Sequence, residues 1–361
     1  MEQYADAMGM LDLMARPAFC VKDGIIVKAN SGAASHLLEP GTEISKLLLT
    51  GAEEYAAFCD GCLYLNLSIS GQSMGASVTR MQDFDVFCLE QNADNAELQA
   101  MALAARELRE PLASVMITAD RLFPVSGLED DPATREQVAR INRGLFQMLR
   151  VIGNMSDASR YCADTASRQE SRDICALLEE IFTKASALVE HAGIQLTYEG
   201  HPEAVYSLVD AEKLERAVLN IISNAIKFTP KGGSIRARLT RRGHKLYLSV
   251  QDSGSGIADH LRGSIFSRYT REPGVEDGRF GIGLGMGLVR TAAVLHGGTV
   301  LVDKGDGIGT RITMSLAIRQ DTGGQVRSPM LMIDYAGERD HCLLELSDAL
   351  PAALYDSSNI G

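Results

Sequence analysis

Apolar and polar residues alternate at two different periods along this chain, and the changes of period divide it into segments. From residue 18, Ala18-Phe19-Cys20-Val21-Lys22 and Ile25-Ile26-Val27-Lys28 flank Asp23-Gly24, which predicts two short strands around a tight turn. Leu63, Leu65, Leu67 and Ile69 alternate with Tyr64, Asn66 and Ser68, the mark of a half-buried strand. Phe84, Val86 and Cys88 repeat that period after a glycine-containing connection. A helical stretch is expected near residues 31–38, so residues 1–90 read as a small α+β domain.

The period then changes from two to three and four. Leu98, Met101, Ala105, Leu108, Leu112, Val115, Ala119 and Leu122 predict one long helix. Val138, Ile141, Leu145, Met148, Ile152 and Met155 predict a second. Pro and Gly signals over residues 123–132 separate them. Two such helices pack as an antiparallel hairpin over 91–165. One hairpin buries only part of its seam, so a homodimer completing a four-helix bundle is expected, with a monomeric hairpin covered by neighbouring domains as the alternative.

Helical and strand patterns alternate over 170–318. Helices are expected over 173–190, 211–228 and near 285–296, and strands over 194–198, 234–240, 246–252, 300–302 and 310–316. This pattern predicts a mixed sheet covered by helices on one face. Residues 319–361 begin with a polar linker. Met330–Asp334 suggests a strand, and Cys342–Tyr355 suggests a broken amphipathic helix that docks on the rest of the chain.

Composition adds little to this and excludes some functions. At 361 residues, two or three domains are expected. A net charge of −12 argues against nucleic acid or an anionic membrane as a general partner. No apolar run approaches the ~20 residues that span a bilayer. The N-terminus does not read as a signal peptide, and seven scattered cysteines fit a reducing compartment, so a cytoplasmic location without membrane insertion is expected. Cys59-Asp60-Gly61-Cys62 reads more simply as cysteines flanking a hairpin turn than as a redox or metal site.

The chemistry is concentrated in three motifs in fixed order. Asn220-Ile-Ile-Ser-Asn224-Ala-Ile-Lys227 lies in a helical pattern, which puts Asn220, Asn224 and Lys227 on one face. A buried polar pair on a helix face is the structural alternative for the two asparagines. Asp252-Ser-Gly254-Ser-Gly256-Ile257 follows a strand. Gly281-Ile-Gly283-Leu284-Gly285-Met-Gly287 opens the helix that runs to His296. Backbone N–H groups at such a helix start suit phosphates. The run is neither a Walker loop nor a Rossmann turn.

Together these motifs resemble the nucleotide pocket of the superfamily shared by gyrase, Hsp90, MutL and the histidine kinases. The resemblance implies ATP and Mg²⁺ as cofactors. It makes Asn224 the Mg²⁺ ligand, Lys227 a phosphate neutraliser and Asp252 the acceptor for the adenine amino group. Gly254 and Gly256 would let the base approach, Thr310 would support the adenine contact, and Gly281, Gly283, Leu284 and Gly285 would border the phosphates. Residues 258–280 would be the lid, with Phe266-Ser-Arg268-Tyr269 as its aromatic box and Arg268 and Arg271 within reach of phosphate. Hydrolysing branches carry Glu where Asn220 stands, and Asn does not act as a general base at neutral pH, so the kinase branch is favoured.

Arg106-Glu107-Leu108-Arg109-Glu110-Pro111-Leu112 resembles the histidine-kinase phosphoacceptor box, with Arg106 in place of His. Arginine stays protonated and is not a nucleophile. Glu107 matches the acidic neighbour that assists proton transfer, a catalytic role only in an active kinase. Glu110 stands where related phosphatases use Thr or Asn. None of the seven histidines lies in 91–162. Residues 8–90 more loosely resemble a PAS sensor domain, with Asn30 where that family often has Asn.

The expected fold is thus α+β and multidomain, with a PAS-like domain (1–90), a helical hairpin forming a dimeric four-helix bundle (91–165), an α/β-sandwich ATP-binding domain (170–318) and a C-terminal docking element (319–361). Three functions are open. The first is a pseudo-histidine kinase that binds ATP, in which Arg106 contacts the γ-phosphate. The second is a kinase acting on a separate protein in trans. The third is a non-enzymatic dimeric scaffold. A response regulator or other signalling protein is the expected partner.

Overall fold

The computed structural model describes residues 9, 11–81, 83–90, 95–122, 132–160, 169–257, 265–266, 284–305, 307, 309–319 and 339–360. The N-terminal strands are β1 (Ala18–Lys22), β2 (Ile25–Ala29), β3 (Cys62–Ile69), β4 (Gln72–Arg80) and β5 (Asp85–Leu89). They form an antiparallel arrangement in the order β2-β1-β5-β4-β3. Asp23-Gly24 turns β1 into β2 with both residues at positive φ (50° and 77°), as a type I′ turn requires. Asn30 is structural. Its side chain caps the helical turn Ser31–Ala34 through Ala33 N and ties down the carbonyls of Leu11, Met14 and Arg16.

Two long helices follow, α1 (Asn95–Leu122) and α2 (Pro132–Arg160), packed against each other. Helix α1 runs through Pro111. Then come β6 (Glu170–Asp173), α3 (Ile174–Glu190), β7 (Gln195–Glu199), β8 (Tyr206–Val209), α4 (Ala211–Phe228), β9 (Ser234–Arg242), β10 (Lys245–Asp252), α5 (Gly285–Leu295), β11 (Val300–Asp303) and β12 (Arg311–Ala317). Helix α3 begins at the side-chain cap Asp173, and α4 at the cap Asp210. A short helix α6 (His341–Glu345) and a 3₁₀ turn at Ala352–Tyr355 carry the C-terminal segment.

The two sheets expected from sequence are one. Strand β3 pairs antiparallel with β11 (Leu63 opposite Leu301), giving ten strands in the order β2-β1-β5-β4-β3-β11-β12-β10-β9-β7. The seam is held by side chains as well. Lys245 Nζ donates to both carboxylate oxygens of Glu54 at 2.8 and 2.7 Å. Arg290 lies 5.1 Å over the Tyr64 ring and pairs with Glu90.

This junction corrects the reading of β3 as half-buried. Tyr64 is buried because its outer face meets Phe266 (ring centroids 5.6 Å apart) and Arg290 of the following domain. In β5 the residues facing the main N-terminal core are Phe87 and Leu89, while Val86 and Cys88, with Phe84 just before the strand, line a small cluster with Leu11, Ala18 and Cys20. Asp60-Gly61 is not a hairpin centre. Cys62 opens β3, and Cys59 sits in an exposed loop.

Burial along the two long helices is partial in the single chain. Ala105, Leu112, Met116, Val138, Leu145 and Ile152 are buried, whereas Leu108, Val115, Leu122, Ile141 and Met148 are exposed in the single chain. Strands β6 and β8 carry too little apolar alternation to stand out in sequence, and they pair as a separate two-stranded sheet. The strand expected at 330–334 and the 123–131 connection lie outside the described residues. Among the described residues, no helix is long and apolar enough to cross a membrane.

Candidate functional site

Strand β10 ends at Asp252, and its neighbour β12 begins just after Thr310, so sheet register brings the two together. Asp252 Oδ1 accepts from Gly254 N at 2.8 Å and from Thr310 N at 3.1 Å. Burial pushes the Asp252 carboxyl up, and these two amides pull it down. Thr310 therefore acts on Asp252 through its backbone. Gly254 is required by the protein itself. A Cβ there would sit 2.8 Å from the Phe228 carbonyl carbon and 2.9 Å from Asp252 Oδ1. Gly256 lies at positive φ, and Ile257 packs on the edge of the main core.

Helix α4 lies across this sheet with Leu214, Val218, Leu219 and Ile222 inward. That orientation leaves Asn220, Asn224 and Lys227 along one side. Asn224 and Gly254 are among the described residues, but Gly281 and Gly283 lie outside them, as do Arg268, Tyr269 and Arg271. The visible end of the glycine motif is Leu284-Gly285, at the start of α5. Leu284 is buried against Met101 of α1 and Met155 of α2, so this helix start abuts both long helices. Met101 is five residues before Arg106, about 7.5 Å along the helix. Arg106, Glu107 and Glu110 are all exposed on α1.

A feature that motif reasoning missed lies beside Asn220. Arg150 of α2 reaches α4, where its Nη2 donates to Asn220 Oδ1 at 3.0 Å. The C-terminal segment inserts two carboxylates here. Glu345, fully buried, accepts from Arg150 Nε at 3.2 Å and from Arg216 Nε at 2.9 Å. Asp348 Oδ2 accepts from Arg150 Nη1 at 2.7 Å and from Lys227 Nζ at 3.2 Å. Burial, then the nearby Arg150, push the Lys227 amine down to about 8, and Asp348 opposes them. The only trace of this in the sequence is an acidic residue at intervals of three in an apolar run, Glu345 to Asp348.

The rest of the segment is anchored apolar side by apolar side. Tyr355 is fully buried, meets Phe146 of α2 edge-on at 5.3 Å, and donates its hydroxyl to the Leu343 carbonyl at 2.7 Å. Asn142 and Arg143 of α2 donate to the carbonyls of Tyr355 and Ser347. His296, at the end of α5, is a structural residue. Its Nδ1 donates to the Ala292 carbonyl at 2.7 Å, which leaves Nε2 to accept from Asp210 N at 3.0 Å.

Residues 209–320 match the family model for the histidine kinase-, DNA gyrase B- and HSP90-like ATPase. Beyond that domain, the chain is similar in sequence to sensor histidine kinases. Over 238 residues it is 30% identical to the sensor histidine kinase TmoS of Ectopseudomonas mendocina, covering 64% of this chain and 24% of that one. It is 30% identical over 244 residues to the histidine protein kinase DivJ of Caulobacter vibrioides, covering 63% of this chain and 40% of that protein. The chain thus spans less than half of either relative. In fold it is similar to full-length ShkA crystallised in complex with AMPPNP, with a TM-score of 0.50, 23% identity, and coverage of 62% of this chain and 47% of ShkA.

Proposed function

We propose that this protein binds ATP with Mg²⁺ in its kinase-type domain and does not phosphorylate itself, a pseudo-histidine kinase whose output is the state of its helical hairpin. The observation that carries the nucleotide reading is the fixed carboxylate of Asp252, held by Gly254 N and Thr310 N at the strand end beside α4. An acceptor aimed from a rigid strand end suits the adenine amino group and discriminates against guanine.

The donor set fits the remaining groups. Lys227 and Arg150 already hold the Asp348 carboxylate, which stands in for an anionic phosphate oxygen. Asn224 would offer Mg²⁺ a hard carboxamide oxygen, and phosphate and water oxygens would complete its shell. When bound, the nucleotide supplies a transferable γ-phosphoryl group. Asn220 keeps its carboxamide oxygen on Arg150 and donates to the Arg216 carbonyl at 2.8 Å, so it neither offers nor accepts a catalytic proton.

The hairpin offers no acceptor for such a group. Arg106 is exposed on α1 and permanently cationic, and residues 91–162 contain no histidine. The exposed stripe of Leu108, Val115, Leu122, Ile141 and Met148 supports the homodimer, because a second hairpin would cover it. The antiparallel order β2-β1-β5-β4-β3 supports a PAS-like sensor domain, joined to the ATP-binding domain by the β3–β11 pairing. A response regulator or related signalling protein is the partner we assign to the dimer.

Titration with ATP and GTP in the presence of Mg²⁺ tests the nucleotide reading. Wild type is expected to bind ATP saturably and in preference to GTP, and Asp252→Ala is expected to lose at least about tenfold in affinity, the scale of one buried charge-assisted hydrogen bond. Equal affinity in the two proteins would defeat the assignment.

A further inference from the structure

The C-terminal segment and the nucleotide reading compete for the same side chains. Asn220 and Lys227, the first and last polar positions of the α4 face, contact Glu345 and Asp348 respectively. Arg150 bridges both carboxylates, and through Asn220 it also touches the motif residue nearest the phosphate helix. Gly285, at the start of that helix, is so close to Asn220 that a Cβ would lie 2.9 Å from its carboxamide oxygen. The acidic segment therefore sits at the phosphate side of the site, not on a remote face.

The two carboxylates are not equivalent. Glu345 is fully buried between two arginines and fixes the segment in place. Asp348 is 13% exposed, the more open of the two carboxylates, and holds Lys227, whose side chain is 8% exposed. A triphosphate and a carboxylate cannot both take the same ammonium at close range without like-charge repulsion in a partly desolvated site.

We propose that residues 340–356 are an intramolecular strap whose Asp348 occupies the phosphate position at Lys227, so that ATP–Mg²⁺ must displace Asp348 to bind. The inference rests on the nucleotide reading above. It gives the chain a device for coupling nucleotide occupancy to the hairpin. The strap is seated on α2 through Asn142, Arg143, Phe146 and Arg150, so moving it changes the packing of the hairpin's second helix. Coupling of this kind is reciprocal: whatever loosens the strap tightens nucleotide binding, and the nucleotide loosens the strap by the same factor.

The test uses the full chain and ATP–Mg²⁺ as the probe. Affinity is measured for wild type, Asp348→Asn and Asp348→Ala, and backbone hydrogen exchange of residues 346–350 is measured with and without nucleotide. The substitutions leave Glu345 and the apolar anchors in place. Both variants are expected to bind ATP–Mg²⁺ about tenfold more tightly, the scale of relieving one close charged competitor, and saturating nucleotide is expected to speed exchange of 346–350 in wild type. Unchanged affinity in both variants, with wild type binding, would overturn the strap and leave the nucleotide site standing. Weaker binding in the variants would instead make Asp348 part of the nucleotide site, and slower exchange on nucleotide addition would contradict displacement. Absence of binding in all three proteins would remove the nucleotide reading and the strap with it. Binding by the variants alone would support the strap in its strongest form.

Discussion

Replacing Glu345 by Ala isolates what the buried charge cluster contributes. The substitution removes hydrogen bonds from Arg150 Nε and Arg216 Nε and leaves two guanidinium groups that are 5% and 4% exposed. Breaking a buried pair on one side costs about 3–5 kcal/mol, because the remaining charge stays desolvated. The protein has a cheaper route. If the C-terminal segment leaves α2 and α4, both arginines regain water, so the total loss is capped by the free energy that docks the segment. The expected result is selective. Amides of residues 343–355 should exchange about 10² to 10³ times faster, while those of β9, β10 and β12 stay within about threefold of wild type. Glu345→Gln, which keeps the shape and an acceptor, should give a smaller effect. Arg150→Ala should then cost at least about 1 kcal/mol less in the Glu345→Ala background than in wild type, since the two residues share one network. Unchanged exchange over 343–355 in Glu345→Ala would refute the claim that this cluster holds the segment.

Three further outcomes are expected. Gly285→Ala places a Cβ 2.9 Å from Asn220 Oδ1 and should lower stability by about 1–3 kcal/mol in chemical denaturation, whereas Gly287→Ala, two residues on with open space around it, should be neutral or raise it by up to about 1 kcal/mol. His296 must be neutral at Nε2 to accept from Asp210 N, and burial holds its pKa below the ordinary histidine value. The unfolded chain therefore binds a proton first on acidification, so stability should be full above about pH 6.5 and fall as pH drops below it, and His296→Gln should flatten that part of the pH–stability curve. Tyr64→Ala removes the ring between Phe266 and Arg290 and should cost about 3–5 kcal/mol by denaturation, with Tyr64→Phe losing only the hydrogen bond to Glu90.

Periodicity was a sound guide wherever one partner surface decided burial. Helix α4 runs over 211–228 as its spacing indicates, and the Asp23-Gly24 turn follows from its residues. Reasoning from local pattern failed where a distant segment supplied the second surface. Tyr64 reads as the polar side of a strand until α5 covers it. Nothing in the local pattern marks Arg150, yet it is the hub joining α2, α4 and the C-terminal segment. Asp252 and Thr310 were legible because their chemistry lies in local motifs that sheet register then brings together. The acidic residues Glu345 and Asp348 were not legible as site neighbours, because nothing near them in sequence reports the cationic surface they meet.

The most direct measurement of the central claim is incubation of the wild-type protein with γ-labelled ATP and Mg²⁺, with bound nucleotide and covalent label read from the same sample. Saturable binding that depends on Asp252 is expected, with no label on the wild-type protein and label appearing only if Arg106→His restores an acceptor. Covalent label on the wild-type chain, or no nucleotide bound at all, would contradict it.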